Sequence, residues 1–223
     1  MLLAEELALV SIKPETGRHA LGMGDQLNAC LAGLLVAELL MEGLAQPGED
    51  GDTVVLAGQP APASATLAAA AKVVSEKGPK IKAVLSHMDR GLHQEVGMGI
   101  WNAVMSGLVE GGVVGPSSGS LLPHHELVDP AARDQVVSRL RAAAAGDDPI
   151  DPRTALVLSM TGPAYLLGVV APDRHSRGHA RQRIDHALDD SNLAPVVEAV
   201  RRLISEAAAA AAITASTGTI AGA

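Results

Sequence analysis

The chain has 223 residues, which suits one large domain or two small ones. Apolar residues make up 48% of it and aromatic residues only 1%, so aliphatic side chains must fill the core. The formal charge of −8 argues against non-specific nucleic-acid binding, which needs a net basic face. Cys30 is the single cysteine, which excludes an internal disulfide and fits a reducing cytoplasm.

The first sixty residues predict two helices and a hairpin. Apolar residues between Leu2 and Val10 fall near helical spacing, and Pro14 with Gly17 marks the turn that follows. Asp25 can cap a long helix to about Glu42 that is apolar on more than one face, as is typical of a buried central helix. Residues 43–58 predict a small hairpin.

The middle of the chain predicts three helices and a second hairpin. Ser64 can cap a helix over 65–75, and a short helix is expected from Lys80 to Met88. An apolar residue at every fourth position predicts a helix over 92–110, which the glycines after Glu110 end. The segment "VVGPSSGSLLPHHELVD" then predicts two short strands around a turn.

Four helices are expected in the last hundred residues. Asp-Pro pairs, with Asp as the cap and Pro at the first helical position, open helices to about Ala145 and Met160. Asp173 can cap a helix through Ala187, and Ser191 or Asn192 begins the last one. No repeat or long linker divides the chain. We therefore expect one mainly α domain over residues 1–212, with one or two β-hairpins, and a disordered tail over 213–223.

The residue patterns do not indicate catalysis. His175 and His179 lie four apart on a predicted helix and could share a metal ion, but no convincing third ligand accompanies them. His124 and His125 are neighbours in a predicted strand, so they would point to opposite faces. We find no nucleophile–base pair either. The sequence therefore predicts no catalytic residue, no metal site and no cofactor.

Two basic clusters stand out in this acidic chain. Lysines concentrate between Lys72 and Lys82, and a second cluster carries arginines at i, i+3 and i+7 of one helix. Either cluster could hold a phosphate group, or could be a solvated helix face that balances the acidic charge. The candidates for binding an anionic head group are Lys80, Lys82, Arg174, Arg177 and Arg181.

Several segments also match a known family in their order along the chain. They are "LLAEELALVSIKPETGR", "AGLLVAELLMEG", "GLVEGGVV", "DPAARDQVVSRLRAA", "DPRTALVLSMTGPAYLLGVV" and "HARQRIDHAL". On these segments the chain resembles the Golgi phosphoprotein 3 family, including its shorter bacterial members. The resemblance implies a central helical bundle surrounded by amphipathic helices, with a projecting hairpin that contributes to oligomer contacts. It also implies an adaptor that binds phosphatidylinositol 4-phosphate on membranes.

The resemblance further implies that the phosphoinositide pocket has lost its chemistry. The family's pocket tryptophan aligns with Met23, and its three pocket arginines align with Ala32, Met98 and Trp101. Charge-assisted contacts are worth roughly 1.5–3 kcal/mol each, so losing three would lower the affinity by several orders of magnitude. Trp101, the single tryptophan, then either lines an apolar version of that surface with Met23 and Met98, or is ordinary core.

These observations lead to two functional hypotheses. The first is a non-enzymatic adaptor in the cytoplasm, peripheral at the inner membrane face, that contacts anionic lipid through a basic cluster. The alternative is a soluble scaffold that binds an apolar small molecule or a partner helix at the surface of Met23, Met98 and Trp101. In either case a protein partner is possible, nucleic acid is not expected, and the hairpin after Val113 is the candidate for oligomer contacts.

Overall fold

Helices make up 67% of the chain in the computed structural model, which confirms the predicted mainly α single domain. The structure describes residues 1–18, 24–49, 51–58, 62, 64–118, 124–188 and 193–205. The helices are α1 Leu3–Ser11, α2 Gly24–Met41, α3 Ala65–Lys77, α4 Ile81–Val96, α5 Ile100–Glu110, α6 Pro130–Ala145, α7 Pro152–Thr161, α8 Leu167–Val170, α9 Arg174–Leu188 and α10 194–205. The strands are β1 Ala45–Pro47 and β2 Val54–Leu56.

The first two helices form the centre of the protein. Every residue of α1 is buried, and α1 packs against α2, α5, α6 and α7. Helix α2 is buried on all sides along most of its length, because α1, α3, α4, α5 and α7 also pack against it. Gly33 brings α10 close as well, since a Cβ there would lie 2.4 Å from Val200 Cγ2. The expected central bundle is therefore confirmed.

Helix α2 is also the one described helix that is long and apolar enough to cross a membrane. It has 18 residues and a mean hydropathy of 1.2. The core helix of a soluble protein passes the same test, and 67% of α2 is buried inside the fold. Length and composition alone are therefore weak evidence for a span.

Side-chain caps explain why several helices begin where they were predicted. The Asp129 carboxylate accepts hydrogen bonds from the backbone N–H groups of Ala131 and Ala132, at 3.0 and 3.2 Å. Asp151 accepts from Thr154 N at 3.0 Å, and Ser64 accepts from Leu67 N at 3.4 Å. Each cap supplies a partner for an N–H group that has none within its helix.

The division between α4 and α5 differs from the prediction. The break was expected between Met88 and Leu92, but α4 continues to Val96 and ends at Gly97, which takes the left-handed conformation with φ 75°. Asp89 then accepts a hydrogen bond from Ile100 N at 2.8 Å and so caps α5. This cap comes from eleven residues earlier in the chain, and local spacing does not reveal it.

One of the two predicted hairpins has regular strands in the described residues. Strands β1 and β2 pair antiparallel, with Ala45 opposite Leu56. The second segment contains only isolated bridges, Val114–Leu127 and Ser118–His124, so the prediction of two strands there is wrong for the described part. Residues 119–123, the rest of the last predicted helix, and the predicted tail 213–223 lie outside the described residues.

A network of buried charges joins α1 and α2 to α6 and α7. The Arg153 guanidinium donates from Nε to Glu6 at 3.0 Å and from Nη1 to Glu38 at 2.9 Å. It also donates to the carbonyl oxygen of Met1, while Arg139 donates to the second oxygen of Glu6. Glu6 and Glu38 are only 3% and 4% exposed. Two acids that would be costly to bury alone are thereby paired.

Candidate functional site

A cleft lies between α2, α4 and α10 and includes Ala32, one of the four predicted pocket positions. We call it the acidic cleft. Its volume is about 450 Å³, and its walls combine apolar and polar side chains. The lining residues are Asp25, Gln26, Asn28, Ala29, Ala32, Leu85, Ser86, Asp89, Leu203 and Ile204. Within the described part of the chain, two carboxylates and no lysine or arginine line this cleft.

One of those carboxylates is held in place by the fold. Asp89 Oδ1 accepts the Ile100 N–H, and a Cβ on Gly99 would lie 2.8 Å from the same oxygen, so the carboxylate sits closely against the start of α5. Asp25 stands in the first turn of α2. An anion entering the cleft would approach two acids, which repel it.

The structure does not bring all four predicted pocket positions into one cleft. Met98 lines a second cleft of about 440 Å³ between α1, α3 and α5, which we call the α1–α5 cleft. Trp101 is half-buried against the core and lines neither cleft. Met23 lies outside the described residues. The packing of Trp101 therefore supports the alternative that this side chain belongs to the core. Its alignment with a family arginine stays a prediction.

The carboxyl group of Glu5 lines the α1–α5 cleft, and its burial destabilises the charged form. Burial raises the pKa of Glu5, and the hydrogen bond from Leu2 N, at 2.6 Å, offsets part of that effect. Gly107 leaves the space for this carboxyl, since a Cβ there would lie 2.1 Å from Glu5 Oε1. The folded protein therefore holds the Glu5 proton more tightly than the unfolded chain does.

Glu5→Gln is expected to remove the cost of burying a charged carboxylate at neutral pH. The contribution of a carboxyl group with a raised pKa is present below its unfolded pKa and is lost as the pH rises through the folded pKa. The variant should therefore be slightly more stable than the wild type at pH 7, and its advantage should shrink towards pH 4.5. Urea denaturation at both pH values measures this, and an advantage that grows as the pH falls would contradict it.

The predicted arginines lie on one helix but have different surroundings. Arg177 donates to the carbonyl oxygens of Ala171 at 2.9 Å and Pro172 at 2.8 Å, so it closes the loop before α9. Arg174 and Arg181 are exposed, and neither makes a hydrogen bond or ion pair in the described part of the chain. Arg181 lines a third cleft, together with Arg201 of α10.

The predicted lysines and histidines are less suggestive of a site. Lys72 is paired with Glu95 at 2.7 Å, while Lys80 and Lys82 are exposed around the start of α4. His179 Nε2 lies 3.5 Å from the carbonyl oxygen of Gly146, and His175 is exposed. In the residues that the structure describes, no group of three or more His, Cys, Asp or Glu side chains is placed to hold a metal ion.

The amino-acid sequence matches the model of a known protein family over almost its entire length. A family model described as Golgi phosphoprotein 3 (GPP34) matches residues 3–207, nearly the whole chain. The chain therefore belongs to the Golgi phosphoprotein 3 family, and membership supports a Golgi phosphoprotein 3-like adaptor. A search of curated proteins found no match.

Sequence reasoning missed three residues that the structure makes prominent. Asp89 lines the acidic cleft, Arg201 lies beside Arg181, and Tyr165 is 67% exposed in the turn before α8. Asp89 and Arg201 are brought to their sites by helix packing across long sequence separations. For Tyr165 a signal existed, since it is the single tyrosine of a chain almost free of aromatic residues.

Proposed function

We propose that this chain is a non-enzymatic adaptor that binds peripherally to anionic membranes through the exposed arginines of α9. Its place would be the cytoplasmic face of the membrane. The observation that carries the proposal is the contrast between two surfaces. The acidic cleft presents Asp25 and Asp89, whereas α9 presents arginines that have no counter-ion in the described residues.

The acidic cleft is a poor site for a phosphoinositide. Each phosphate would approach two carboxylates, and one of these is already committed to Ile100 N. Ala32, which aligns with a family arginine, contributes only a methyl group to the wall. An anion there would lose its hydration without gaining a charged partner.

Helix α9 suits an anionic surface. Between Arg174 and Leu188 it carries four arginines and one aspartate, a formal charge of +3 in a chain of −8. Arg174 and Arg181 share one helical stripe, so both can face the same plane. Each basic residue near an anionic membrane contributes about 1 kcal/mol, which is enough for reversible peripheral binding when several act together.

Vesicle flotation tests this proposal. The protein is expected to float with phosphatidylcholine vesicles that contain phosphatidylglycerol, and to release them at high salt because the attraction is electrostatic. Arg174→Gln/Arg181→Gln should weaken the partition roughly 30-fold, from about 1 kcal/mol per arginine. Lys80→Gln/Lys82→Gln changes the charge equally on another surface and serves as the control.

Three outcomes would contradict the proposal. Binding that is unchanged in the arginine variant would exclude α9 as the contact surface. Selective tight binding of phosphatidylinositol 4-phosphate, at matched vesicle charge, would show that the family pocket still functions. A shift of Trp101 fluorescence with an apolar ligand but not with vesicles would favour the alternative of a soluble scaffold.

A further inference from the structure

We infer that the turn between α7 and α8, with the cleft beside it, binds the head group of an anionic phospholipid. The inference rests on the proposed function, because it specifies where on the basic surface the lipid is held. It concerns a region remote in sequence from the four aligned pocket positions. Three observations carry it: a cleft with an uncommitted arginine, an exposed and strained tyrosine, and two further arginines in contact with α8.

The cleft lies between α7, α8, α9 and α10, and we call it the arginine cleft. Its volume is about 320 Å³, and Gly162, Pro163 and Leu167 form the side towards the turn. Arg201 reaches it from α10 and is paired with Asp185, with 3.1 Å between Nη2 and Oδ1. Arg181 lines it without an ion pair or hydrogen bond in the described residues. Two arginines and one aspartate leave a net charge of +1.

That arrangement fits a single phosphate group. A guanidinium can bind two phosphate oxygens at once, and Arg181 has its donors free to do so. Arg201 is paired with Asp185, so a phosphate would meet one unpaired arginine and one paired arginine. A head group with several phosphates would exceed the single positive charge available. The site therefore suits a phosphodiester such as that of phosphatidylglycerol.

Tyr165 supplies the part of the site that would meet the bilayer. It is the most exposed large hydrophobic residue among those described, at 67%, and it has a positive φ of 55°. This conformation is rare for a residue other than glycine or asparagine. The turn is closed by bonds from Tyr165 N to Gly162 O at 3.0 Å and from Leu166 N to Thr161 O at 2.7 Å. A strained backbone thus presents an aromatic ring to the outside, and tyrosine is enriched at membrane interfaces.

Two further arginines, Arg141 and Arg177, contact the same short helix. Arg141 Nε donates to the carbonyl oxygen of Val169 at 3.0 Å, and Arg177 binds the two carbonyls after α8. A Cβ on Gly168 would lie 3.4 Å from Arg177 Nη2, so this guanidinium rests directly on α8. Both arginines keep their positive charge at the surface. The positive charges of Arg141 and Arg177 therefore lie near Tyr165 and Arg181, and they are complementary to an anionic bilayer.

Flotation of single variants of the full chain on phosphatidylglycerol vesicles tests the inference. Arg181→Gln should weaken binding about tenfold, since it removes a charge-assisted contact. Tyr165→Gly should also weaken binding, because it removes an aromatic side chain of the kind enriched at membrane interfaces. It should not lower Tm, because glycine accepts the positive φ and little buried surface is lost. Arg202→Gln is the control: it removes the same charge from α10, where Arg202 pairs with Glu198 at 3.5 Å outside the arginine cleft. It should change binding by no more than about twofold.

The possible failures are distinguishable. If the wild type does not bind anionic vesicles, the proposed function and this inference both fail. If it binds but Arg181→Gln and Arg202→Gln weaken it equally, net charge alone explains binding and the inference is overturned. If Tyr165→Gly binds vesicles as tightly as the wild type, the turn is not part of the membrane interface. Calorimetry with inorganic phosphate distinguishes a soluble anion from a lipid. If phosphate binds the wild type but not Arg181→Gln, while both proteins bind vesicles equally, the cleft binds a soluble anion and the inference is overturned.

Discussion

Replacing Arg153 with methionine is expected to lower the free energy of unfolding by about 3 kcal/mol. Among the described residues, the change leaves Glu6 with one cationic partner, Arg139, and leaves Glu38 with none, although both acids stay buried. Removing one partner of a buried pair costs about 3–5 kcal/mol, because the remaining charge has lost both water and counter-ion. We take the lower end because the Arg153 side chain is 30% exposed, so solvent screens part of the interaction.

Urea denaturation at pH 7 measures this loss. Arg202→Met serves as the control, since it breaks a surface pair whose two side chains are 57% and 54% exposed, and it should cost less than about 1 kcal/mol. Adding Glu38→Gln to Arg153→Met should recover part of the stability, because the buried acid then carries no charge. Equal losses in the two methionine variants would mean that the network contributes no more than a surface ion pair.

Gly91→Ala is expected to destabilise the protein by about 2 kcal/mol. A Cβ at Gly91 would lie 2.3 Å from Val73 Cγ2 and 3.2 Å from Cγ1, far inside normal contact distance. Val73 is β-branched and buried, so its methyl groups cannot rotate away freely. Helices α3 and α4 must then separate, and this cost exceeds the gain of up to about 1 kcal/mol that alanine brings to a helix interior.

A second substitution provides the internal test. Gly91→Ala combined with Val73→Ala should be less destabilised than the sum of the single variants by about 1 kcal/mol, because the smaller residue restores the space. Gly178→Ala is the control in α9, where nothing lies within 4 Å of the added Cβ, and it should stabilise by about 0.5–1 kcal/mol. Additive losses in the double variant would show that the two residues do not compete for the same volume.

Sequence patterns revealed the helices whose signals are local. The Asp-Pro starts of α6 and α7 were predicted because capping involves residues only two or three positions apart. The boundary between α4 and α5 was misplaced because the apolar stripe continues across Gly97, while the cap on Ile100 comes from Asp89. Helix α8, four residues long, is too short to produce a periodic pattern.

The candidate sites were predictable to a smaller extent. Arg174 and Arg181 could be recognised as a stripe from their spacing, but whether an arginine is paired depends on the partners that folding brings near. Arg177 and Arg183 belong to the same cluster, yet both bind backbone carbonyls from other segments. The pairing of Asp185 with Arg201 likewise arises only when α9 and α10 pack together.

The position of α1 at the centre has a consequence for synthesis on the ribosome. This helix emerges before α6 and α7, and the arginines that neutralise Glu6 follow 133 and 147 residues later. Until those residues leave the exit tunnel, the nascent amino-terminal segment must keep its leucines and acids without their final partners. The core therefore stays incomplete until Arg153 has left the ribosome, and a chain that stalls before that residue is a natural client for chaperones.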